Sequence, residues 1–289
     1  MNLTPTCVTC IFSQSLRVCE TLQIESGTTK KVLDSIAGMI PEWSFSETPP
    51  QVAARVYPKI AKLLQTDDIY CDFKREATER AKAFIPFVEE MIDKHNDKFY
   101  ASLKAAVAGN VIDLAAMEQF DLEEEVTKVF DLPFKIDDSE ELRKILQNSK
   151  TLLIVGDNAG EHIFDKVMMK YFKEVFSNLH IFYAVRGKPI INDITIEDAL
   201  SAGIDEVAEI VDSGVDTPGL DLSRASEIMV SVYKQADVVL AKGMGNYESL
   251  NGISTRPTFF LMKVKCSVVA ESLGRNVGDI ICYKENLHD

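Results

Sequence analysis

The chain has 289 residues, of which 46% are hydrophobic and 26% charged, with a formal net charge of −14 and an isoelectric point of about 4.8. That length allows one large domain or two smaller ones. The acidic balance argues against a surface for nucleic acid or an anionic membrane, since both need clustered Lys and Arg. A small anionic substrate stays open, because a few local cations or a metal can override the global field.

The first fifteen residues have neither a basic start nor a long apolar core, so no signal peptide is expected. No run approaches the ~20 apolar residues of a membrane helix, and the expected location is the cytoplasm. Without a secretory signal, the six cysteines are expected to be thiols or metal ligands rather than a disulfide framework.

Residues 1–148 read as mostly helix. Cys7, Cys10, Phe12 and Leu16 fall at helical spacing, as do Val52, Ala53, Val56, Ile60, Leu63 and Leu64. A long helix is predicted over 72–95, with Ala77, Ala81, Phe84, Val88 and Ile92 on one face, and another over 99–114. An acidic segment, 121–125, leads into Val126, Val129 and Phe130. Asp138, with Glu141 three residues on, predicts a capping-box variant that opens a short helix. No strand is expected before residue 150, and no internal repeat or low-complexity tract occurs.

After residue 150 the pattern changes. Apolar runs at 152–155, 181–185, 207–211, 238–241, 259–264 and 280–283 alternate with helical patterns or turn clusters. The helix after the first run is the clearest, with Ile163, Phe164, Val167, Met168, Tyr171, Phe172 and Val175 on its apolar face. Such alternation implies a mostly parallel, doubly wound sheet with helices on both faces. The expected fold class is α/β: a helical part, 1–148, packed tightly on a three-layer αβα domain, 149–289, that carries the active site. The boundary is a composition shift without a Gly/Ser linker.

In open parallel sheets ligands bind outside the carboxyl ends of the strands. Four segments put polar groups there: Gly156-Asp157-Asn158-Ala159-Gly160-Glu161, then Arg186 to Asp193, then Asp212-Ser213-Gly214 through Asp221, then Lys242-Gly243-Met244-Gly245-Asn246. Asp157, Asn158 and Asp193 make a hard, oxygen-rich set suited to Mg²⁺ or Mn²⁺, cations that usually keep waters and bind substrate phosphate directly. The competing structural reading makes Asp157 the N-cap of the next helix and Asp193 the N-cap of a helix over 195–201. Gly243 and Gly245 let the backbone approach an anion, and Lys242 adds a full positive charge. This is not a P-loop, since the Lys precedes the glycines, and 156–161 lacks the three-glycine dinucleotide fingerprint. Lys265 is either an anion binder or a snorkelling edge lysine, and Arg186 and Lys188 are either anion binders or surface charges. Cys7-x-x-Cys10 is half a zinc site, completed by Cys19 or Cys71, or a pair of small buried hydrophobes.

Taken in order, Ala108-Gly109-Asn110-x-x-Asp113, Asp157-Asn158-Ala159-Gly160-Glu161, Arg186-Gly187-Lys188-Pro189-x-x-Asn192-Asp193, Asp212-Ser213-Gly214 with Asp221-Leu222-Ser223-Arg224, and Lys242-Gly243-Met244-Gly245-Asn246-Tyr247-Glu248 form a specific set. The set resembles the metal-dependent damage-control phosphatases, also known as domain of unknown function 89. Cys7-x-x-Cys10 resembles the mainly prokaryotic subfamily that carries this signature. The resemblance implies a Rossmann-like αβα part and hydrolysis of phosphate monoesters of small, damaged or surplus metabolites such as sugar phosphates or phosphopantetheine-type compounds. It implies a divalent cation (Mg²⁺, Mn²⁺, Co²⁺ or Ni²⁺) on Asp157, Asn158 and Asp193, which are also the catalytic residues. Glu161, Arg186, Lys242, Gly243, Gly245, Asn246 and Lys265 then serve phosphate and substrate. The alternatives are a nucleotide- or cofactor-binding module without hydrolysis and an S-adenosylmethionine-dependent methyltransferase. The latter usually ends its second strand in an acid, and here that strand ends in Arg186.

Overall fold

In the computed structural model, which describes residues 1–111 and 119–285, the described strands share one sheet in the order β1-β7-β6-β5-β2-β3-β4. They are β1 (Ile136–Asp137), β2 (Thr151–Val155), β3 (His180–Val185), β4 (Glu209–Asp212), β5 (Val238–Lys242), β6 (Thr258–Lys263) and β7 (Ile280–Lys284). Neighbours pair in parallel, except that β7 runs antiparallel to β6. All six expected runs are strands. The third starts later than expected because Ile204–Glu206 form a 3₁₀ turn just before Val207.

The helices are α1 (Pro5–Thr21), α2 (Ser26–Met39), α3 (Pro49–Leu64), α4 (Cys71–Lys94), α5 (Lys98–Val111), α6 (Gln119–Asp131), α7 (Ser139–Leu146), α8 (Glu161–Val175), α9 (Ile196–Ser201), α10 (Glu227–Gln235), α11 (Gly243–Leu250) and α12 (Ser267–Leu273). Among the described residues no helix is long and apolar enough to cross a membrane.

Two details before residue 150 differ from expectation. A strand does occur there: β1 lies parallel to β7, tied by Lys135 N–H to Ile280 O and Asp138 N–H to Cys282 O, both 2.8 Å. Two residues are too few to show a period-2 pattern. The capping box at Asp138 does not form either. Its Oδ2 accepts the backbone N–H of Lys284 at 2.7 Å, and Glu141 pairs with the Lys284 ammonium at 2.5 Å. Both side chains anchor β7 instead of capping α7.

Strand alternation sorts the core into two layers. Leu152, Ile154, Tyr183, Leu240 and Phe259 face a cluster with Ala81, Val88, Ala105, Phe164 and Met168, from α4, α5 and α8. Leu153, Val155, Val239, Ala241 and Phe260 face Met229, Tyr247 and Val269, from α10 to α12. A third cluster joins α1, α2 and α3 through Val18, Val32, Ile36, Val52 and Ile60, and it takes in Ile190 from the loop after β3. Helices α1–α3 therefore form a cap over the strand ends. A capping box between Thr48 and Gln51, followed by Pro49, starts α3 at that edge.

From β2 the chain winds outward through β3 and β4, then returns to the other side of β2 for β5 and β6. The carboxyl ends of β2 and β5 thus flank the topological switch point, where doubly wound sheets open a crevice.

Candidate active site

The polar elbow after β2 is free to do chemistry because it does not cap the helix. Gly160 occupies the N-cap of α8 at φ +88°, with no side-chain cap. The carboxylate of Asp157 instead crosses the switch point to lie against Gly243 at the start of α11. A Cβ at 243 would sit 1.9 Å from Asp157 Oδ2, and Gly243 also has φ +74°. Only glycine meets both conditions.

The second loop is zipped to the first. Asn158 and Asp193 form an isolated antiparallel bridge. Ala159 N–H donates to Asn192 O at 2.9 Å, and Ile194 N–H donates to Asp157 O at 3.0 Å. Helix α9 is capped by Thr195 with Asp198, so Asp193 is not its cap. Asp157, Asn158 and Asp193 therefore stand side by side, as the strand-end argument predicts.

Arg186 binds this cluster from below. Its Nε donates to Asp193 Oδ2 at 2.8 Å, and its Nη2 lies 4.0 Å from Asp157 Oδ1. Glu161 adds a third carboxylate. Asn110, at the end of α5, donates from Nδ2 to Asp157 Oδ2 at 3.2 Å and to Glu161 Oε1 and Oε2 at 3.0 and 3.1 Å. Its Oδ1 accepts Lys263 N–H at 3.1 Å. Asn158 Nδ2 donates to Asp157 Oδ2 at 3.0 Å and Glu161 Oε1 at 2.8 Å, and its Oδ1 accepts no hydrogen bond among the described residues. Asn110 reaches the site because Gly109 lets α5 press on α8: a Cβ at 109 would meet Phe164 at 2.8 Å.

The cluster carries more negative charge than its partners balance. Burial, then Glu161 and Asp193, push the Asp157 carboxyl well above its usual range, against Lys265 and Arg186. Burial pushes Asp193 up to about 6 even with Arg186 bonded to it. Arg186 Nη1 is buried and has no partner among the described residues, so within them the guanidinium is itself not fully used. The donor set is all oxygen, which suits a hard divalent cation. Among the described residues no three His, Cys, Asp or Glu side chains converge as a metal cluster. The set that fits a cation here has an amide oxygen, that of Asn158, beside Asp157 and Asp193.

Other expected site residues serve the architecture. Lys242 is fully buried, and its ammonium donates to Asp165 Oδ1 at 2.5 Å and Ala106 O at 3.0 Å. The sequence reading placed this charge on an anion; the pleat turns it to the other face of the sheet, with Leu240. Asn246 joins four segments. Its Nδ2 donates to Lys242 O at 2.6 Å and Gly156 O at 3.0 Å. Its Oδ1 accepts from Leu220 N–H at 2.9 Å and Arg186 Nη2 at 3.3 Å. Arg186 and Asn246 are both buried; Arg186 Nε and Nη2 and the Asn246 amide are directed at protein partners.

Beside the carboxylates lies a cavity of about 290 Å³, lined by Asp157, Asn158, Asp193, Gly245 and the exposed Lys265 on one side and by the cap on the other. A larger cavity, about 660 Å³, lies between α3 and residues 188–191, Lys188 among them, and holds none of these carboxylates. Its size does not outweigh the absence of the charged cluster. His162, fully buried, accepts Gly160 N–H on Nδ1 at 3.1 Å, and burial lowers its pKa to about 4, so it braces the elbow as a neutral ring. Of the cysteines, Cys7 and Cys10 line the 290 Å³ cavity together with Cys266, while Cys19 lies in the cap core and Cys71 at the exposed start of α4. Asp113 lies outside the described residues.

The family description "Damage-control phosphatase ARMT1-like domain" matches residues 3–281, nearly the whole chain and every loop just described. The chain belongs to the damage-control phosphatase family. A damage-control phosphatase of Pyrococcus horikoshii is 30% identical over 280 residues, covering 96% of each chain. An uncharacterized protein of Methanocaldococcus jannaschii is 33% identical over 293 residues, covering 98% of this chain and 96% of that one. The crystal structure of a DUF89 family protein from Pyrococcus horikoshii superposes with a TM-score of 0.91 at 30% identity, covering 99% of this chain and all of that one. The damage-control phosphatase fold thus holds from end to end, with the cap included.

Proposed function

We propose that this chain hydrolyses phosphate monoesters of small metabolites with the help of a divalent cation (Mg²⁺, Mn²⁺, Co²⁺ or Ni²⁺). The observation that carries the reading is the excess of buried carboxylate at the switch point: Asp157, Glu161 and Asp193 share one bonded cation, Arg186, beside an open cavity. Membership in the damage-control phosphatase family supports it.

Asp157, Asn158 and Asp193 would hold the cation, which when bound supplies charge neutralisation at phosphate and a more acidic water. The chain's own groups do the rest. Arg186 fixes Asp193 in place, and Asn110 and Asn158 bridge Glu161 and Asp157 by donating to both. Lys265, exposed on the cavity wall, attracts the phosphate dianion, whereas the glycines at 243 and 245 admit protein neighbours, Asp157 Oδ2 and Pro218 O, into the space a Cβ would take. A carboxylate of the cluster takes the proton of the attacking water, and the products are inorganic phosphate and the free alcohol. Sugar phosphates and phosphopantetheine-type esters are the substrate classes to try first.

The test is phosphate release from p-nitrophenyl phosphate and a panel of sugar and pantetheine phosphates by metal-stripped protein, with each cation added back separately. Release is expected to need metal and to fall to the metal-free background in Asp157→Ala. Folded wild-type protein that releases nothing with any of the four cations overturns the reading.

A further inference from the structure

The 290 Å³ cavity that the carboxylates line also contains a titratable group that the chemistry above does not use. Glu248 lies on α11, five residues beyond Gly243, so about 7.5 Å along the helix from the residue that touches Asp157. Its half-buried side chain lines the same cavity as Asp157, Asn158, Asp193 and Lys265. Among the described residues no hydrogen bond or ion pair holds its carboxylate. The amino group of Met1 bonds at 2.7 Å to the backbone oxygen of Glu248, not to the acid. The lining combines apolar Ile11, Pro50, Ala53 and Val268 with Thr6, Gln14 and the thiols of Cys10 and Cys266, which lie within electrostatic reach of the acid, and among the described residues Lys265 is the cation it contains. Burial accordingly pushes the Glu248 carboxyl up to about 7, in spite of the attraction of that amino group.

An acid with no partner among the described residues, about 7.5 Å along α11 from the glycine that touches Asp157, matches a bifunctional ligand. Phosphate sits at the metal-ligating residues and hydrogen-bond donors at Glu248. The cavity lies at the low end of ligand-pocket sizes, which favours a compact ligand. We propose that Glu248 is a specificity-determining residue that reads the alcohol half of the substrate, so that the site takes compact phosphate monoesters whose far end carries hydroxyl or ammonium donors and disfavours those ending in a carboxylate. The inference rests on the phosphatase reading, and it adds a substrate class to it. Donation to a carboxylate is stronger than a neutral hydrogen bond, whereas a second carboxylate 3–4 Å away is repelled and leaves both acids poorly solvated.

The experiment compares wild type, Glu248→Ala and Glu248→Gln on four esters: glucitol 6-phosphate (hydroxyl donors), phosphoethanolamine (ammonium), 3-phosphoglycerate (carboxylate) and p-nitrophenyl phosphate (no donor). In Glu248→Ala the kcat/KM for glucitol 6-phosphate relative to p-nitrophenyl phosphate should fall about tenfold or more, mainly through KM. Glu248→Gln still offers a carbonyl acceptor, so it should keep most of that ratio while losing the advantage of the ammonium ester. Relative turnover of 3-phosphoglycerate should rise in both variants. Ratios unchanged in Glu248→Ala overturn the proposal. Calorimetric binding of glucitol 6-phosphate reads the same contact without turnover. Weaker binding by Glu248→Ala supports the proposal even if wild type releases no phosphate, in which case only the phosphatase reading fails. Equal affinity overturns the proposal whatever the turnover.

Discussion

Two groups of buried charges lie within one helical turn of each other, and they are built in opposite ways. Below the elbow, Lys242 and Asp165 form a closed pair, with Tyr183 O–H donating to the second Asp165 oxygen at 2.8 Å and Ala106 O taking another ammonium proton. Burial works against the Lys242 charge, but Asp165 and Glu161 more than compensate, so the ammonium stays protonated. Above it, Asp157, Glu161 and Asp193 share the Arg186 guanidinium and two amides, and their charge is not balanced. The balanced pair ties β5 to α8 and α5. The unbalanced group stores electrostatic repulsion that a cation would relieve. Burial raises the Asp165 carboxyl as it raises Asp157 and Asp193, but Lys242 and Tyr183 oppose it there, so charge balance rather than burial distinguishes the pair from the three-carboxylate cluster.

Three experiments press on that contrast. The largest effect is expected from Asp165→Asn. It leaves the Lys242 ammonium buried without its counter-charge and should cost about 3–5 kcal/mol of stability in urea unfolding. Adding Lys242→Met in the same chain should return most of the loss, since the pair is then replaced rather than broken. A double variant no more stable than Asp165→Asn would show that the pair is not the closed unit described here.

In the opposite direction, Asp157→Asn in metal-stripped protein should raise the thermal midpoint, because it removes one of three repelling carboxylates. The gain is a few degrees, at roughly 2 °C per kcal/mol for a chain of this size. A lower midpoint would mean that the cluster is already balanced without metal.

The smallest effect is a pH dependence. The folded-state pKa of Asp193, about 6, lies above the unfolded value of ~3.9. Its contribution to stability is therefore fully present below pH ~3.9 and is lost as pH rises through about 6. Adding Mn²⁺ to stripped protein should then raise the midpoint more at pH 7.5 than at pH 5. Equal gains at both pH values would detach Asp193 from the cation site.

Much of this site could be read from residues alone. Asp157, Asn158, Glu161 and Asp193 come together as their positions after β2 and β3 require, because parallel strands put all their carboxyl ends on one edge. Lys242 and Asn246 were placed at the right edge, but their side chains point elsewhere. The signal for Lys242 was available in the strand period: it has the parity of Leu240, whose face packs against α5 and α8, while Ala241 faces the other layer. Asn110 is marked by its place in the ordered motif set but is given no role there. It lies in an alanine-rich helix of the first half, and its amide meets Asp157 and Glu161 only because α5 packs directly on α8.

The sequence by itself determined the alternation that makes a doubly wound sheet and the edge at which polar loops gather, because hydrophobic periodicity and turn residues are local properties. The ordered motifs likewise identified the family. The tertiary structure decided which charges are neutralised. Whether an acid is balanced depends on the partner that packing brings to within a few ångströms: Arg186 on Asp193, Asn110 on Glu161, Lys242 on Asp165, and, among the described residues, no partner on Glu248. Coulomb energy falls with distance and rises with burial, so which buried charges are balanced could be read only once the helices had packed.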